Sequence, residues 1–475
     1  MSDSQISDSP ATDAPAGAGA LPDWLEAALE YVPRWVDFQL QQVDQPGCAI
    51  AVAHKGRIVM EEAFGVADLG SGEALTPRHR FRVASHSKTF TAAGILKLKE
   101  RGLLRLDDAA GSFVQGLHPA IADVSLQQIL SNSAGLSRDG GNAGYFPGLR
   151  PFLSAAELKE ALTLPPPLPA AERFKYSNHG FSLLGLVIEQ VAGEPYRDWI
   201  MREVVGAAGL TETFADIGLM TEGPFAKGHS TRLPVGRRLV LPGDMATADM
   251  AAATGFASTA GDLARFFAQL SSNSESRLLS PLTRRDMSRP HWRDRETALD
   301  RAYGLGTISG TLRGWDWFGH SGSFIGTLSR TAVFPAEDLT ISVITNAIDG
   351  PAQALVDGIA LILKTFRERG APTPEVADWA GRWWMMWGAI DLVPVGNRVL
   401  AYAPALPAPL SEASEIAVTG LDAGTIVRAP GFASPGEPAT RTRDADGMVS
   451  EVWLGGVGLV SEPDFIETML SRFET

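Results

Sequence analysis

Cysteine is almost absent from this 475-residue chain, which has only Cys48. One thiol cannot form an internal disulfide and offers no thiolate cluster for zinc or iron–sulfur chemistry, so a reducing compartment is the natural setting. The eight histidines (54, 79, 86, 118, 179, 229, 291 and 320) contain no H-E-x-x-H and no i, i+4 pair, so no metal is implied. No cofactor is implied either. There is no G-x-x-x-x-G-K-[ST] loop, and YGLGTISG is one residue off the dinucleotide fingerprint and reads as a strand, which makes its glycines structural. Basic charge is in deficit, with 41 Lys+Arg against 55 Asp+Glu and a net charge of -14. That balance disfavours nucleic acid and anionic membrane surfaces as partners. No stretch approaches the run of roughly 20 apolar residues that a membrane helix needs. The opening MSDSQISDSPATDAPAGAGA has no basic segment before an apolar run, so it does not read as a secretion signal. The expectation is a soluble, cytoplasmic protein whose partners are small molecules, with a homo-oligomer left open.

What is present describes a folded protein. Hydrophobic residues make up 45% and charged residues 20%, with 49 Gly and 31 Pro. The length suits one large domain with a smaller companion. After a tail expected to be disordered (1–22), DWLEAALEYVPRWVDFQL has apolar residues at helical spacing, with Pro33 expected to kink or restart the helix. CAIAVAH and RIVMEEAF flank a Lys55-Gly56 tip and read as a β-hairpin. Helices are expected over about 86–102, 125–132, 154–163, 178–192, 196–207 and 260–270. Strand patterns return in YGLGTI, WDWFGHSG, TLSRTAVF and LTISVITNA, before a helix over about 352–368. Strands at both ends of a helical insertion argue for an α+β fold: an antiparallel sheet flanked by helices, an inserted all-α lobe, and a cleft where they meet.

RERGAPTPE (about 367–375) reads as a linker. The short strands beyond it (NRVLAY, EIAVTG, GTIVRA, SEVWLG) suit a small C-terminal antiparallel β-barrel. The division is therefore 1–22, 23–368 and 369–475. Trp379, Trp383, Trp384 and Trp387 open the barrel and are expected in its core rather than as a ligand cage.

Chemistry concentrates at three places. In ASHSKTFTAAGILKL, Ser85 precedes Lys88 by three residues at a helix start, so both side chains share one face. A lysine drawn into a partly apolar cleft loses its proton more readily and can activate a neighbouring hydroxyl. Among only eight lysines, Lys88 alone has a serine three residues before it. Tyr176 and Asn178 stand just before a helix, where Asn178 could equally serve as a cap. His320, Ser321, Gly322 and Ser323 lie on a strand, where glycine lets a substrate or another backbone approach closely. A G-x-S-x-G elbow is missing, because GHSGS ends in serine.

The ordered set Ser85-x-x-Lys88, Tyr176-x-Asn178 and His320-x-Gly322 resembles the serine β-lactamase and penicillin-binding protein superfamily, especially its class C-like branch. That branch includes D-Ala-D-Ala carboxypeptidases, D-aminopeptidases and carboxylesterases. ILSNSAGLS and ATGFASTAGDLARFF look like its connecting stretches, and the resemblance covers roughly 24–365. The final hundred residues look like the lipocalin-like appendage of some members. The resemblance implies Ser85 as nucleophile, Lys88 and Tyr176 as proton carriers, and Asn178, His320 and Gly322 as substrate-binding residues. It further implies an oxyanion hole from the N–H groups of Ser85 and Ser323, worth roughly 3 kcal/mol per donor. His320 replaces the lysine that usually opens the third motif, so a fixed charge becomes a titratable one and capture of a substrate carboxylate is less secure. D-aminopeptidases of the family resemble this chain there. The expectation is a serine hydrolase acting through an acyl-enzyme on small amides or peptides (D-aminopeptidase- or amidase-like). The alternatives are a β-lactamase-type carboxylesterase with weak or no β-lactamase activity, and a non-catalytic ligand-binding protein on the same fold.

Overall fold

The computed structural model describes residues 20–293, 295, 301–431 and 433–473. Most of the tail expected at 1–22 therefore lies outside the described residues. The chain divides into two compact units. One comprises Pro33–Leu361 with Pro404–Ser411, and the other comprises the residues up to Val32 with Ile362–Ala403 and the stretch from Glu412 onward.

The larger unit is built on a nine-stranded antiparallel sheet. Its strands are β1 (Gly47–His54), β2 (Arg57–Asp68), β3 (Glu73–Ala74), β4 (Trp292–Arg293), β5 (Arg301–Tyr303), β6 (Ile308–Leu312), β7 (Trp315–Phe324), β8 (Thr327–Phe334) and β9 (Leu339–Thr345). Their spatial order is β3-β2-β1-β9-β8-β7-β6-β5-β4. β1 and β9, nearly 300 residues apart, pair from Cys48 with Thr345 to His54 with Leu339. Both are buried on two faces, so they read as continuous apolar runs instead of alternating ones. The mostly helical insertion lies between β3 and β4 in sequence, as expected from the discontinuous strand pattern, but it is not all-α: Phe81–Arg82 pairs with Ala257–Ser258 and Gly228–His229 with Val240–Leu241.

Within the insertion, α2 (Ser87–Glu100), α3 (Asn178–Ala192) and α4 (Ala260–Gln269) matter most for the cleft; α1 is the N-terminal helix Asp23–Gln42 and α5 is Ala352–Arg369. Eleven of the fourteen residues of α2 are buried, so the helix carrying the first motif is enclosed on nearly every side and not amphipathic. Phe90 on this helix stacks on Phe266 at 3.8 Å and on Phe256 at 4.4 Å between ring centres. Pro33 does not interrupt α1, which runs unbroken past it. Buried neighbours on each side of Pro33 (Tyr31, Val32, Trp35 and Val36) hold both halves by packing, which outweighs one missing hydrogen bond. The helix expected over 196–207 is α-helical only across Tyr196–Ile200 and widens to a π-helical turn at Met201–Gly206.

The smaller unit holds a closed eight-stranded antiparallel barrel. Its strands are β10 (Gly381–Met385), β11 (Gly388–Val395), β12 (Arg398–Tyr402), β13 (Ser414–Gly420), β14 (Ala423–Arg428), β15 (Pro438–Arg443), β16 (Val449–Leu454) and β17 (Val457–Val460). Trp384 opposite Val460 closes the ring. Trp379 is fully buried and Trp383 packs against the same core, while Trp384 stacks on Phe465. Trp387 departs from the expectation: it sits in the tight turn between β10 and β11 and is 87% exposed, because a hairpin tip has no interior face.

A buried polar knot sits against this barrel. The Asp391 carboxylate, 1% exposed, accepts from Arg382 Nε at 2.7 Å and from the Tyr31 hydroxyl at 2.6 Å, and Tyr31 lies 2.5 Å from the Tyr402 hydroxyl. Removing Asp391 leaves the buried Tyr31 and Tyr402 hydroxyls and the half-buried Arg382 without their shared acceptor. Asp391→Ala is expected to destabilise the barrel by about 3–5 kcal/mol. The check is urea unfolding followed by fluorescence of the barrel tryptophans; a loss below about 1 kcal/mol would show that the knot is not a stabilising element.

Candidate active site

The turn that presents Ser85 is set by its backbone. Phe81 and Arg82 pair with Ser258 and Ala257, and the Val83 N–H donates to the Phe256 carbonyl at 2.9 Å. Ala84 then takes φ +45°, a conformation that an L-residue with a Cβ adopts only under constraint, at a cost of roughly 1–3 kcal/mol. The chain turns through a short 3-10 segment, Ala84–His86, before α2 begins. Ser85 is thus on the turn and Lys88 in the first turn of the helix. Ser87 locks the arrangement by donating to the Ala84 carbonyl at 2.5 Å and accepting from the Phe256 N–H at 3.0 Å.

Lys88 is completely buried. Its Nζ lies 3.3 Å from Ser85 Oγ, 2.6 Å from Asn178 Oδ1 and 2.8 Å from the Ala253 carbonyl oxygen. Burial holds its pKa well below the ordinary lysine value; Asp139 opposes this and Arg138 reinforces it. A neutral amine has two N–H donors and one lone pair. With the donors on Asn178 and Ala253, the lone pair is left for the hydroxyl proton of Ser85.

Tyr176 stands beside Ser85, with Lys88 Nζ 4.8 Å from its ring centre. Burial raises the phenol pKa and a hydrogen bond with the Ser85 hydroxyl lowers it, the net effect being upward, so Tyr176 keeps its proton at neutral pH. The cap of α3 is Ser177, not Asn178: Ser177 Oγ accepts from the Gly180 N–H at 2.8 Å. That leaves the Asn178 amide free to accept from Lys88 and to donate to Asp139 Oδ1 at 2.5 Å. Asp139 pairs in turn with Arg138 at 3.0 Å.

Two residues outside the three motifs complete the frame. Asn132, in the SNSAGLS stretch at φ +55°, accepts the Ser177 N–H on its Oδ1 at 2.9 Å and the Lys175 N–H on its carbonyl at 2.7 Å, which pins the Tyr176 turn. Tyr303, the first residue of YGLG, places its hydroxyl 3.0 Å from His320 Nε2. Sequence reasoning had Tyr303 only as part of a strand. The one available signal was a tyrosine beside two glycines, and the structure explains those glycines sterically. A Cβ on Gly306 would come within 2.5 Å of Ala92 and 2.9 Å of the Lys88 carbonyl.

His320 is buried on β7. Desolvation, then the neighbouring His86, holds its pKa well below the usual histidine value, and its Nδ1 lies 2.7 Å from the Ser321 carbonyl. The third motif therefore has a neutral imidazole where a lysine would bring a fixed charge. Gly322 makes room for a backbone: a Cβ there would meet the Val83 carbonyl at 2.1 Å and Ser329 Oγ at 2.6 Å. His86, inside the first motif, is pushed down to about 3 by burial and bonds Thr331 Oγ1 at 3.0 Å, tying the Ser85 turn to β8.

All seven residues singled out from sequence lie in this one region. Six of them, Ser85, Tyr176, Asn178, His320, Gly322 and Ser323, line a cavity of about 710 Å³, with Lys88 beneath its floor. Phe146, Phe324, Ile325, Leu328 and Ile348 supply an apolar wall, and Arg138, Arg301 and Arg330 are also in the lining. A neutral amine, a hydroxyl 3.3 Å away and a protonated phenol can carry a proton from nucleophile to leaving group.

Comparison with known proteins agrees with this geometry. The Beta-lactamase family profile matches residues 32–364, well over half of the chain. Protein flp of Staphylococcus aureus (strain COL) is 25% identical over 185 residues, 38% of this chain and 36% of that protein. The chain therefore matches little more than a third of the length of that curated relative. Among solved structures, the octameric penicillin-binding protein homologue from Pyrococcus abyssi superposes with a TM-score of 0.62 at 21% identity, covering 91% of this chain and 100% of that one. The D-amino acid amidase from Ochrobactrum anthropi SV3 gives 0.60 at 21% identity over 72% of this chain and 99% of the amidase. Those two likenesses speak to the fold, and the family match speaks to descent: this chain belongs to the beta-lactamase family.

Proposed function

We propose that the enzyme cleaves amide or peptide bonds of small substrates through an acyl-enzyme on Ser85, in the manner of an amidase or D-aminopeptidase. The observation that carries this reading is the desolvated Lys88 within 3.3 Å of Ser85 Oγ. Neutral Lys88 takes the proton of Ser85 as Oγ attacks the carbonyl carbon. The developing oxyanion is held by the N–H groups of Ser85 and Ser323. An amide leaving group departs only when its nitrogen is protonated, and Tyr176, which holds its proton at neutral pH, relays one from Lys88 to that nitrogen. Water then repeats the sequence in reverse and frees Ser85. Asn178 orients Lys88 and presents its amide to the acyl side. The fold shared with a D-amino acid amidase is in keeping with this chemistry.

A carboxylesterase is the second reading, favoured by the apolar wall around Phe146, Phe324, Ile325, Leu328 and Ile348 and by the neutral His320. Esters make less demand on leaving-group protonation. Ratios of kcat/KM separate the two. D-amino acid amides and short peptides are expected to exceed matched alkyl esters, and the reverse order would select the esterase.

The nucleophile is checked by intact mass after incubation with a fluorophosphonate. One adduct per wild-type chain and none on Ser85→Ala is expected, with kcat lowered by about 10⁴-fold or more in the variant. A folded wild type that takes no label would favour a non-catalytic binding protein instead. The base is checked by pH. Only neutral Lys88 is active, so kcat/KM climbs as pH rises through its lowered pKa and levels off well below the ordinary lysine range. A profile still climbing at pH 10 would exclude Lys88 as the base. Lys88→Arg, which keeps its proton, is expected to cost about 10³-fold or more.

A further inference from the structure

Lys88 can give its lone pair to Ser85 only if its other neighbours leave that lone pair alone, and one of them is ambiguous by nature. The Asn178 side chain ends in an oxygen that accepts and a nitrogen that donates, two groups of nearly equal size. With Oδ1 toward Lys88, at 2.6 Å, the amide takes one hydrogen of Nζ. Turned over, it would offer Nδ2 to the lone pair and occupy the electrons that the Ser85 proton requires. Lys88 does not decide between the two, since a neutral amine both donates and accepts.

Asp139 does. Its Oδ1 takes a hydrogen from Asn178 Nδ2 at 2.5 Å, and a carboxylate only accepts, so the amide nitrogen is drawn to Asp139 and the amide oxygen is left for Lys88. The carboxylate is itself held in place. Arg138 Nε lies 3.0 Å from Oδ2, and the fully buried Tyr145 donates to the Asp139 carbonyl at 3.0 Å with its hydroxyl 3.3 Å from Oδ1. The backbone is tied as well, because the Arg138 carbonyl accepts the Asn178 N–H at 2.9 Å and the His179 N–H at 3.3 Å. Asp139 is not among the described residues that line the cavity, so its influence on the chemistry runs through Asn178.

Charge follows the same path. The charged and titratable groups facing Asp139 are Arg138, Tyr145, Tyr176 and His179, and His320 joins them around Lys88. Burial raises both phenols and lowers both imidazoles, so at pH 7 the phenols keep their protons and the rings stay neutral. Asp139 is then the one anion of this described set, opposed by Arg138, which is 66% exposed and screened by solvent.

We propose that Asp139 is a positioning residue for the proton transfer: its carboxylate fixes the Asn178 amide with the oxygen toward Lys88, which keeps the lone pair of the amine for Ser85. This rests on the acyl-enzyme reading above and deepens it. The same negative charge, transmitted through the polarised amide, keeps the desolvated amine a competent acceptor.

The experiment follows the rate of fluorophosphonate labelling of Ser85 in the full chain from pH 5 to 10, so no substrate has to be known. Without the Asp139 charge the Lys88 ammonium loses a favourable neighbour, so its proton leaves at lower pH and the base that remains is weaker. Asp139→Ala lacks both acceptor and charge; its midpoint is expected to move down by about half a pH unit or more, and its plateau rate to fall roughly tenfold or more. Asp139→Asn keeps the shape and a carbonyl acceptor without the charge. It is expected to show the same downward shift with a smaller fall in plateau, and it serves where the alanine variant fails to fold. Asp139→Glu should return the midpoint toward wild type. A merely structural role would reduce the amount of labelled protein and leave the midpoint in place. The Lys88 midpoint is read independently from its Cε resonance by NMR, the one of eight lysine signals lost in Lys88→Arg. A midpoint unmoved in both Asp139→Ala and Asp139→Asn, or an alanine variant labelled at the wild-type rate, overturns the proposal and leaves the hydrolase reading intact. A wild type that takes no label overturns the hydrolase reading itself, and the role of Asp139 with it.

Discussion

The burial of one amine organises this site. Lys88 is fully buried, and the polar atoms around Nζ come from three different segments: Ser85 from the strained turn, Asn178 from the start of α3, and the Ala253 carbonyl from the end of a short helix. An uncompensated ammonium in such a place would cost several kcal/mol. Losing the proton is the cheaper solution, and burial shifts Lys88 in that direction, toward the base that the proposed reaction asks of it. Stability and reactivity are here two consequences of the same desolvation.

The supports of Lys88 are themselves buried and polar. Asn178 is held by Asp139, the turn before it by Asn132 and Ser177, and the Ser85 turn by Ser87 and His86. These hydrogen bonds cross between α2, α3, the SNSAGLS loop and β8, so the catalytic geometry is set by several elements at once and not by one flexible loop. Ala84 at φ +45° is the visible strain within it. Such strain persists only where the surroundings over-determine the backbone, and the Phe81–Ser258 ladder on one side and enclosed α2 on the other provide that.

Much of this was legible in the sequence because it depends on local spacing. A serine three positions before a lysine at a helix start fixes their proximity, and alternation in TLSRTAVF or LTISVITNA marks strands wherever they later pair. The α+β layout could be read from strands on both sides of a helical stretch. What could not be read depends on contacts at long separation. Asn178 looked like a cap because it precedes a helix, but one residue of register, decided by where Ser177 Oγ meets Gly180, turned it toward Lys88 instead. Pro33 looked like a break because the local rule omits the packing that holds both halves of α1. Tyr303 carried little signal beyond its neighbouring glycines, since a tyrosine in a strand is ordinary until β5 and β7 bring it beside His320.

The histidines sharpen the argument about which group is the base. Imidazole is the usual proton acceptor at neutral pH, and three of them lie near the cleft. His86 is pushed down to about 3, and His179 and His320 are also lowered, in each case chiefly by burial. The same desolvation acts on Lys88, but with a different result, because its starting value is about four units above that of histidine. Lowering a histidine removes it from useful basicity, since a neutral ring with so low a pKa has little affinity for the serine proton. Lowering a lysine by a similar mechanism brings it toward neutrality, where it is both unprotonated and still a competent acceptor. A dry site that disables imidazoles is thus the environment that enables an amine, and it is the physical ground for assigning the proposed proton transfer to Ser85 and Lys88 rather than to the histidines close at hand.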